Sequence, residues 1–169
     1  LNGLELNLPA PLGKSIDSSL SISNDIFFNL GEELIESVGF VENNFAWQLN
    51  FNKVEESWTF DRGVIMLGET QLQSADTKGL HIRGLTNEIS FKDWLNFSSK
   101  NRKENLLSKI RSIDLTIGDL YLLGQHLKDH RVRVDRSALE WLIQVNGNDV
   151  IGSVFVPYDF NSGREMVFN

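Results

Sequence analysis

Phe45-Ala46-Trp47-Gln48-Leu49-Asn50-Phe51 decides the fold of this chain. Each odd-numbered residue is large and apolar, and two of the three residues between them are polar amides. Successive side chains on a β-strand point to opposite faces, so this spelling describes a strand with one greasy face and one wet face. Working outward, the same period of two recurs at Leu4, Leu6 and Leu8, at Trp58 and Phe60, and at Ile113, Leu115 and Ile117. It returns at Val132 and Val134, set between Arg131, Arg133 and Asp135, and at Leu139, Trp141, Ile143 and Val145. One-sided alternation marks antiparallel sheet with one face toward water. The expected fold is mainly β with a minor α component: an antiparallel meander carrying one or two short helices.

Turn signals punctuate the strands. They are Glu42-Asn43-Asn44, Asp61-Arg62-Gly63, Gly124-Gln125 and Asn146-Gly147-Asn148, the last holding the Asn-Gly pair that tight hairpins favour. Ser90-Phe91-Lys92-Asp93 resembles a capping box and is followed by Trp94, Leu95 and Phe97, which predicts a short helix over 91–97. Residues 98–105 are polar without periodicity and read as a loop, after which Leu106, Leu107 and Ile110 suit one or two helical turns. With that interruption as a hinge, the expected organisation is a first β segment over 1–97 ending in a short helix, a polar linker over 98–112, and a second meander over 113–169, either separate from the first sheet or continuous with it. The chain starts at Leu1 inside an alternating pattern, which reads as part of a longer protein whose export signal or membrane anchor would lie outside it.

Composition limits the chemistry. The 169 residues carry a net charge of −7, which argues against nucleic acid, where affinity rests on Lys and Arg neutralising phosphates. The charge is uneven: residues 1–99 hold 6 basic and 14 acidic side chains, and residues 100–136 hold 9 basic and 5 acidic. That basic stretch suits either a solvated sheet edge or lipid head groups and acidic partners. With no cysteine there is no disulfide framework, zinc–thiolate site or thiol nucleophile. His126 and His130 have ligand-like i, i+4 spacing, but on a strand that separation is about 13 Å, too far for one ion. They read as surface histidines on a loop and a strand, and no metal or cofactor is expected. The chain has no Gly-x-Ser-x-Gly elbow, Walker loop or Gly-x-Gly-x-x-Gly. The adjacent carboxylates Glu32-Glu33 and Glu55-Glu56 read as turn and rim charges, since neighbours on a strand face opposite ways. The expectation is a protein without catalytic residues.

The candidate functional surface is the apolar face itself: Phe45, Trp47, Leu49, Phe51, Leu115, Ile117, Val132, Val134, Trp141, Ile143 and Val145, as core or as lipid-facing residues. Trp47, Trp58, Trp94 and Trp141 also admit an alternative, a carbohydrate-binding or adhesive β-sandwich that stacks sugars on indole rings.

Several phrases resemble the YhdP branch of the AsmA-like (YhdP/TamB) envelope proteins. Leu8-Pro9-Ala10-Pro11-Leu12-Gly13-Lys14 after Gly3-Leu4-Glu5-Leu6 is similar to that family's Leu-Pro-Ala-Pro-Leu-Gly-Lys segment, and Arg62-Gly63-Val64-Ile65-Met66-Leu67-Gly68 to its Arg-Gly-x-Ile-x-Leu-Gly run. Gly79-Leu80-His81-Ile82-Arg83-Gly84, then Phe91-Lys92-Asp93-Trp94-Leu95, resembles its Gly-strand-Gly followed by a short helix. Ile113-Asp114-Leu115-Thr116-Ile117-Gly118-Asp119-Leu120, with Trp141 and Val150-Ile151-Gly152, resembles its repeated meander. These phrases run in family order through most of residues 1–156; the basic, polar 98–111 segment departs from the pattern. The resemblance implies a curved β-groove within a large periplasmic protein anchored in the inner membrane by an N-terminal helix. It further implies passage of phospholipid acyl chains toward the outer membrane, in support of its permeability barrier. The family supplies no catalytic motif to carry over.

Overall fold

The computed structural model describes residues 9–13, 17, 19–29, 31–41, 44–68, 71–94, 106–122, 124–157 and 167–169. Ten strands form one open, curved sheet: β1 (Ile22–Asn29), β2 (Leu34–Val41), β3 (Phe45–Val54), β4 (Ser57–Leu67), β5 (Gly79–Ser90), β6 (Ile110–Leu122), β7 (Gln125–Arg136), β8 (Glu140–Asn146), β9 (Ile151–Pro157) and β10 (Val167–Phe168). Residues 91–94 form a helical turn, α1, and Leu106–Lys109 form α2 directly before β6. Of the helix expected over 91–97, residues 95–97 lie outside the described residues, as do the expected strand at Leu4–Leu8 and all of the 98–105 loop. Among the described residues no helix is long and apolar enough to cross a membrane.

The strands lie in sequence order from β1 to β10. Short connections turn the chain back on itself, so most neighbours pair antiparallel. The mainly β meander expected from the alternation is the architecture observed, but it is not antiparallel throughout: β4–β5 and β5–β6 pair parallel. A parallel partner requires the chain to travel back along the sheet before re-entering it. Residues 68–78 and 91–109 make those two return trips.

Asp61-Arg62-Gly63 is not a turn. It lies inside β4, where Asn50 pairs with Arg62 and Phe51 with Phe60, leaving Asp61 as the extra residue of a β-bulge. The reason is hydrophobic register: a regular ladder would pair Phe51 with Asp61 and Asn52 with Phe60, sending Phe60 to the opposite face from Phe51 and losing their 5.8 Å edge-to-face contact. The true β3–β4 turn is Glu55-Glu56, with Glu55 at φ 57°.

The core sits at the middle of the sheet. Leu67, Leu115, Ile117 and Leu120 are buried together, with Phe45, Ile65, Ile82, Ile113 and Val132 packed around them and Leu12 of the N-terminal loop laid against them. Ile117 and Leu120 differ in parity, yet they share this cluster. Register explains it: Gly118 and Asp129, facing each other between the Ile117–His130 and Asp119–Lys128 pairs, drop out of the ladder, and Asp129 takes φ 54°. The pleat slips phase there, and Ile89, Leu120 and Leu127, which pair side by side, rejoin the apolar side.

Candidate functional site

Directly paired residues on neighbouring strands share a face, so the register can be followed across the whole sheet. Starting at Trp47, the pairs run through Ile65, Ile82, Ile113, Val134, Ile143 and Val154. A second row runs from Phe45 through Leu67, Gly84, Leu115, Val132, Val145 and Gly152. All eleven residues singled out from the sequence lie on this one face. Leu115 and Ile117 are buried; the other nine are half-buried. The face also gathers residues the alternation did not single out, among them Ile35, Leu67, Ile65, Ile82 and Val154. In β4 the run Val64-Ile65-Met66-Leu67 is apolar at every position, so spelling alone assigns it no face.

The opposite face explains that run. Val64 pairs with His81 and Met66 with Arg83, and the 71–78 stretch of the crossover lies over them: Thr77 reaches His81 and Gln73 accepts from Arg83 at 3.2 Å. Ala46, Val64 and Met66 are thereby buried although they occupy the nominally wet side. His81 is locked in the same contact. Its Nε2–H donates to the Thr77 carbonyl at 3.3 Å and lies 3.0 Å from the Thr77 hydroxyl, while Nδ1 accepts from the Ser112 hydroxyl at 2.7 Å. Burial pushes the imidazole below its ordinary value, the Thr77 carbonyl opposing. Elsewhere this face is charged: Arg131 grips Asp114 through Nε and Nη2 at 2.7 and 2.8 Å, and Arg133 adds a third contact at 3.1 Å. The Arg131 hydrogen bond is the main reason the Asp114 carboxyl sits below the usual carboxylate range.

Small residues let large ones lie flat on the apolar face. A Cβ on Gly39 would meet the Trp47 ring at 2.3 Å, so glycine there is what allows the indole to cover its neighbour strand. The indole N–H then donates to Ser37 Oγ at 3.1 Å, which satisfies the only polar atom of that side chain. Trp141 is covered by Arg136, whose guanidinium stands 5.5 Å from the ring centre. Among the four tryptophans only Trp58 is exposed, at 41%; Trp94 is half-buried and donates to the Ala10 carbonyl at 2.9 Å.

The histidines part company. His126 is exposed and bonds Asp119 at 2.5 Å while stacking on Tyr121. His130, expected at the surface, is fully buried on the apolar face opposite Ile117, with neither ring nitrogen hydrogen-bonded among the described residues. Its parity with Val132 and Val134 was the signal for this; the charged neighbours Asp129 and Arg131 masked it. No cluster of three metal-ligating side chains occurs among the described residues.

The arrangement offers a wide apolar surface backed by a polar one. A family model described as YhdP protein matches residues 1–167. No curated protein and no solved structure matches the chain.

Proposed function

The chain belongs to the YhdP family, and from that premise we propose that it is a non-enzymatic segment of a large periplasmic conduit that moves phospholipids between the inner and outer membranes. In this reading the parent protein is anchored in the inner membrane, and the segment helps to maintain the outer-membrane barrier. The observation that carries it is the apolar face, which runs through paired residues from β2 to β9 without a charged side chain in its central rows. An acyl chain has no polar atoms, and each CH₂ taken out of water is worth about 0.8 kcal/mol. A sheet that stays greasy from strand to strand offers that gain at every step along its length. No single deep pocket is needed, and a lipid held by many similar contacts can move between them at little cost.

Purified protein should carry phospholipid, visible by native mass spectrometry and by extraction into organic solvent. Introduced into the full-length protein, Ile143→Asp places a carboxylate on a half-buried position of the path. The expected outcome is a folded protein that carries less lipid and supports the permeability barrier poorly. Normal lipid content and normal barrier function in a folded variant would overturn the proposal. A glycan array covers the sugar-binding alternative: saturable binding lost in Trp58→Ala would favour it instead.

A further inference from the structure

On β1 the apolar face is continued by Ile22, Asn24, Ile26 and Phe28, the partners of Val41, Gly39, Ser37 and Ile35. All four are exposed, and three are hydrocarbon. Asn24 is the exception, of a residue type that strands disfavour. It lies in the row that runs through Gly39 to Trp47.

A hydrogen-bond chain joins Trp47 to Asn24 across three strands. The indole donates to Ser37 Oγ at 3.1 Å, and Ser37 Oγ donates to Asn24 Oδ1 at 2.8 Å. The direction follows from its first member, because an indole N–H is a donor only. Ser37 accepts there, which leaves its own hydrogen for Asn24. Turning the amide over would give Ser37 a second donor and leave the serine hydrogen without an acceptor among the described residues. The outer end of the chain is therefore the amide –NH₂, with two donors and no partner among the described residues.

Satisfying the indole requires Ser37 alone. Asn24 is one link more, and its effect is to set N–H donors on a greasy surface between Ile22 and Ile26. A ligand that matches has an acceptor oxygen flanked by hydrocarbon, which is the chemistry of an acyl ester. We propose that Asn24 is an ester station: its Nδ2–H donates to an acyl-ester carbonyl of a glycerolipid while the acyl chain lies along Ile26 and Phe28. Ser37 is a positioning residue, which holds the amide so that its donors, and not its oxygen, meet the lipid. The inference deepens the lipid-conduit reading and rests on it.

Two probes that differ only in the carbonyl test it: dihexanoyl phosphatidylcholine and its di-O-hexyl analogue, in which each ester carbonyl is a methylene. Each is titrated calorimetrically into the 169-residue chain below its micelle-forming concentration. The quantity read is the ratio of ester to ether affinity, compared between the native chain and Asn24→Leu, so that the ether's greater apolarity cancels. One net hydrogen bond between neutral groups amounts to about fivefold in affinity, and Asn24→Leu should lower the ratio by about that factor. Ser37→Ala should lower it by about twofold, because the amide is then free to turn its own oxygen toward the lipid. Infrared spectra of ester lipid labelled at the carbonyl carbon give a second readout. The carbonyl stretch should move to lower frequency on binding and lose that shift in Asn24→Leu. Circular dichroism checks folding; if Asn24→Leu does not fold, Asn24→Asp keeps the acceptor for Ser37, removes both donors and carries the same expectation. An unchanged ratio or an unshifted carbonyl band would overturn the ester station and leave the conduit standing. Absence of binding by either lipid would remove both proposals together.

Discussion

His130 shows what one side chain costs in this fold. Its ring is fully buried, wedged where a Cβ on Gly147 would come within 2.3 Å of it, and neither nitrogen has a hydrogen-bond partner among the described residues. A buried polar group without a partner costs about 1–3 kcal/mol, and an apolar side chain of similar size does not. His130→Leu is therefore expected to raise the unfolding free energy by about 1 kcal/mol, measured by urea denaturation at pH 7.5. A loss of that size instead would show that the ring makes a polar contact worth keeping. Gly147→Ala should be destabilising by about 1–3 kcal/mol, because the Cβ has nowhere to go without moving the ring. Residue positions such as these were legible in part. The parity of His130 with Val132 and Val134 places it on the apolar side, whereas its contact with Gly147 follows from the β7–β8 register, in which Arg131 pairs with Asn146, and no local spelling encodes that register.

At the level of elements, the 71–78 stretch is tied to the sheet by His81. The imidazole is bound between Thr77 and Ser112 in its neutral form, and burial lowers its pKa below the ordinary 6.5. A lowered histidine pKa means that the unfolded chain binds the extra proton first. The resulting stability is complete above about pH 6.5 and is lost as pH falls from there toward the folded-state value. Urea unfolding followed from pH 7.5 to 5.5 should show a decline that is smaller in His81→Asn. An equal decline in both proteins would assign it to other groups. Asp114 acts in the same direction but lower on the scale: held below 3.8 by Arg131, it withdraws stability only as pH falls through the acidic range. Alternation made β3, β6, β7 and β8 readable, because there one face meets water and the other does not. It could not reveal the two parallel junctions, since a period of two carries no strand direction. It also misread Asp61-Arg62-Gly63, whose turn-like composition hides a bulge that only the partner residues Asn50 and Phe51 expose. In β4 the crossover covers the polar side, so Val64 and Met66 are apolar for a reason that lies outside their own strand.

Across the whole molecule, the apolar face is defined by parity, and parity gives the sharpest test of the proposal that lipid touches it. Trp47 and Gln48, or Ile143 and Gln144, are adjacent in sequence but lie on opposite faces of the sheet. A photoreactive phenylalanine analogue at Trp47, Leu49, Ile143 or Val145 should capture phospholipid when full-length protein is irradiated in cells. The same analogue at Gln48, Arg133 or Gln144 should capture little, although each site is one residue or one strand away. Thin-layer analysis of the purified, irradiated protein reads the result. Any merely sticky surface would be labelled on both faces, since β1 exposes Ile26 and Phe28 on one side and Phe27 on the other. A lipid path confined to one face predicts alternation in the labelling itself, with the same period of two that Phe45-Ala46-Trp47-Gln48-Leu49 shows in the sequence. Uniform labelling, or labelling only at Gln48 and Gln144, would place the lipid elsewhere. The centre of the sheet adds a further demand. Leu12 rests on the Leu67, Leu115, Ile117 and Leu120 cluster, so lipid crossing the middle must displace that contact or pass beside it. Leu12→Ala should then increase capture at Val132 relative to Trp47, whereas an unchanged ratio would mean that the path does not run beneath the N-terminal loop.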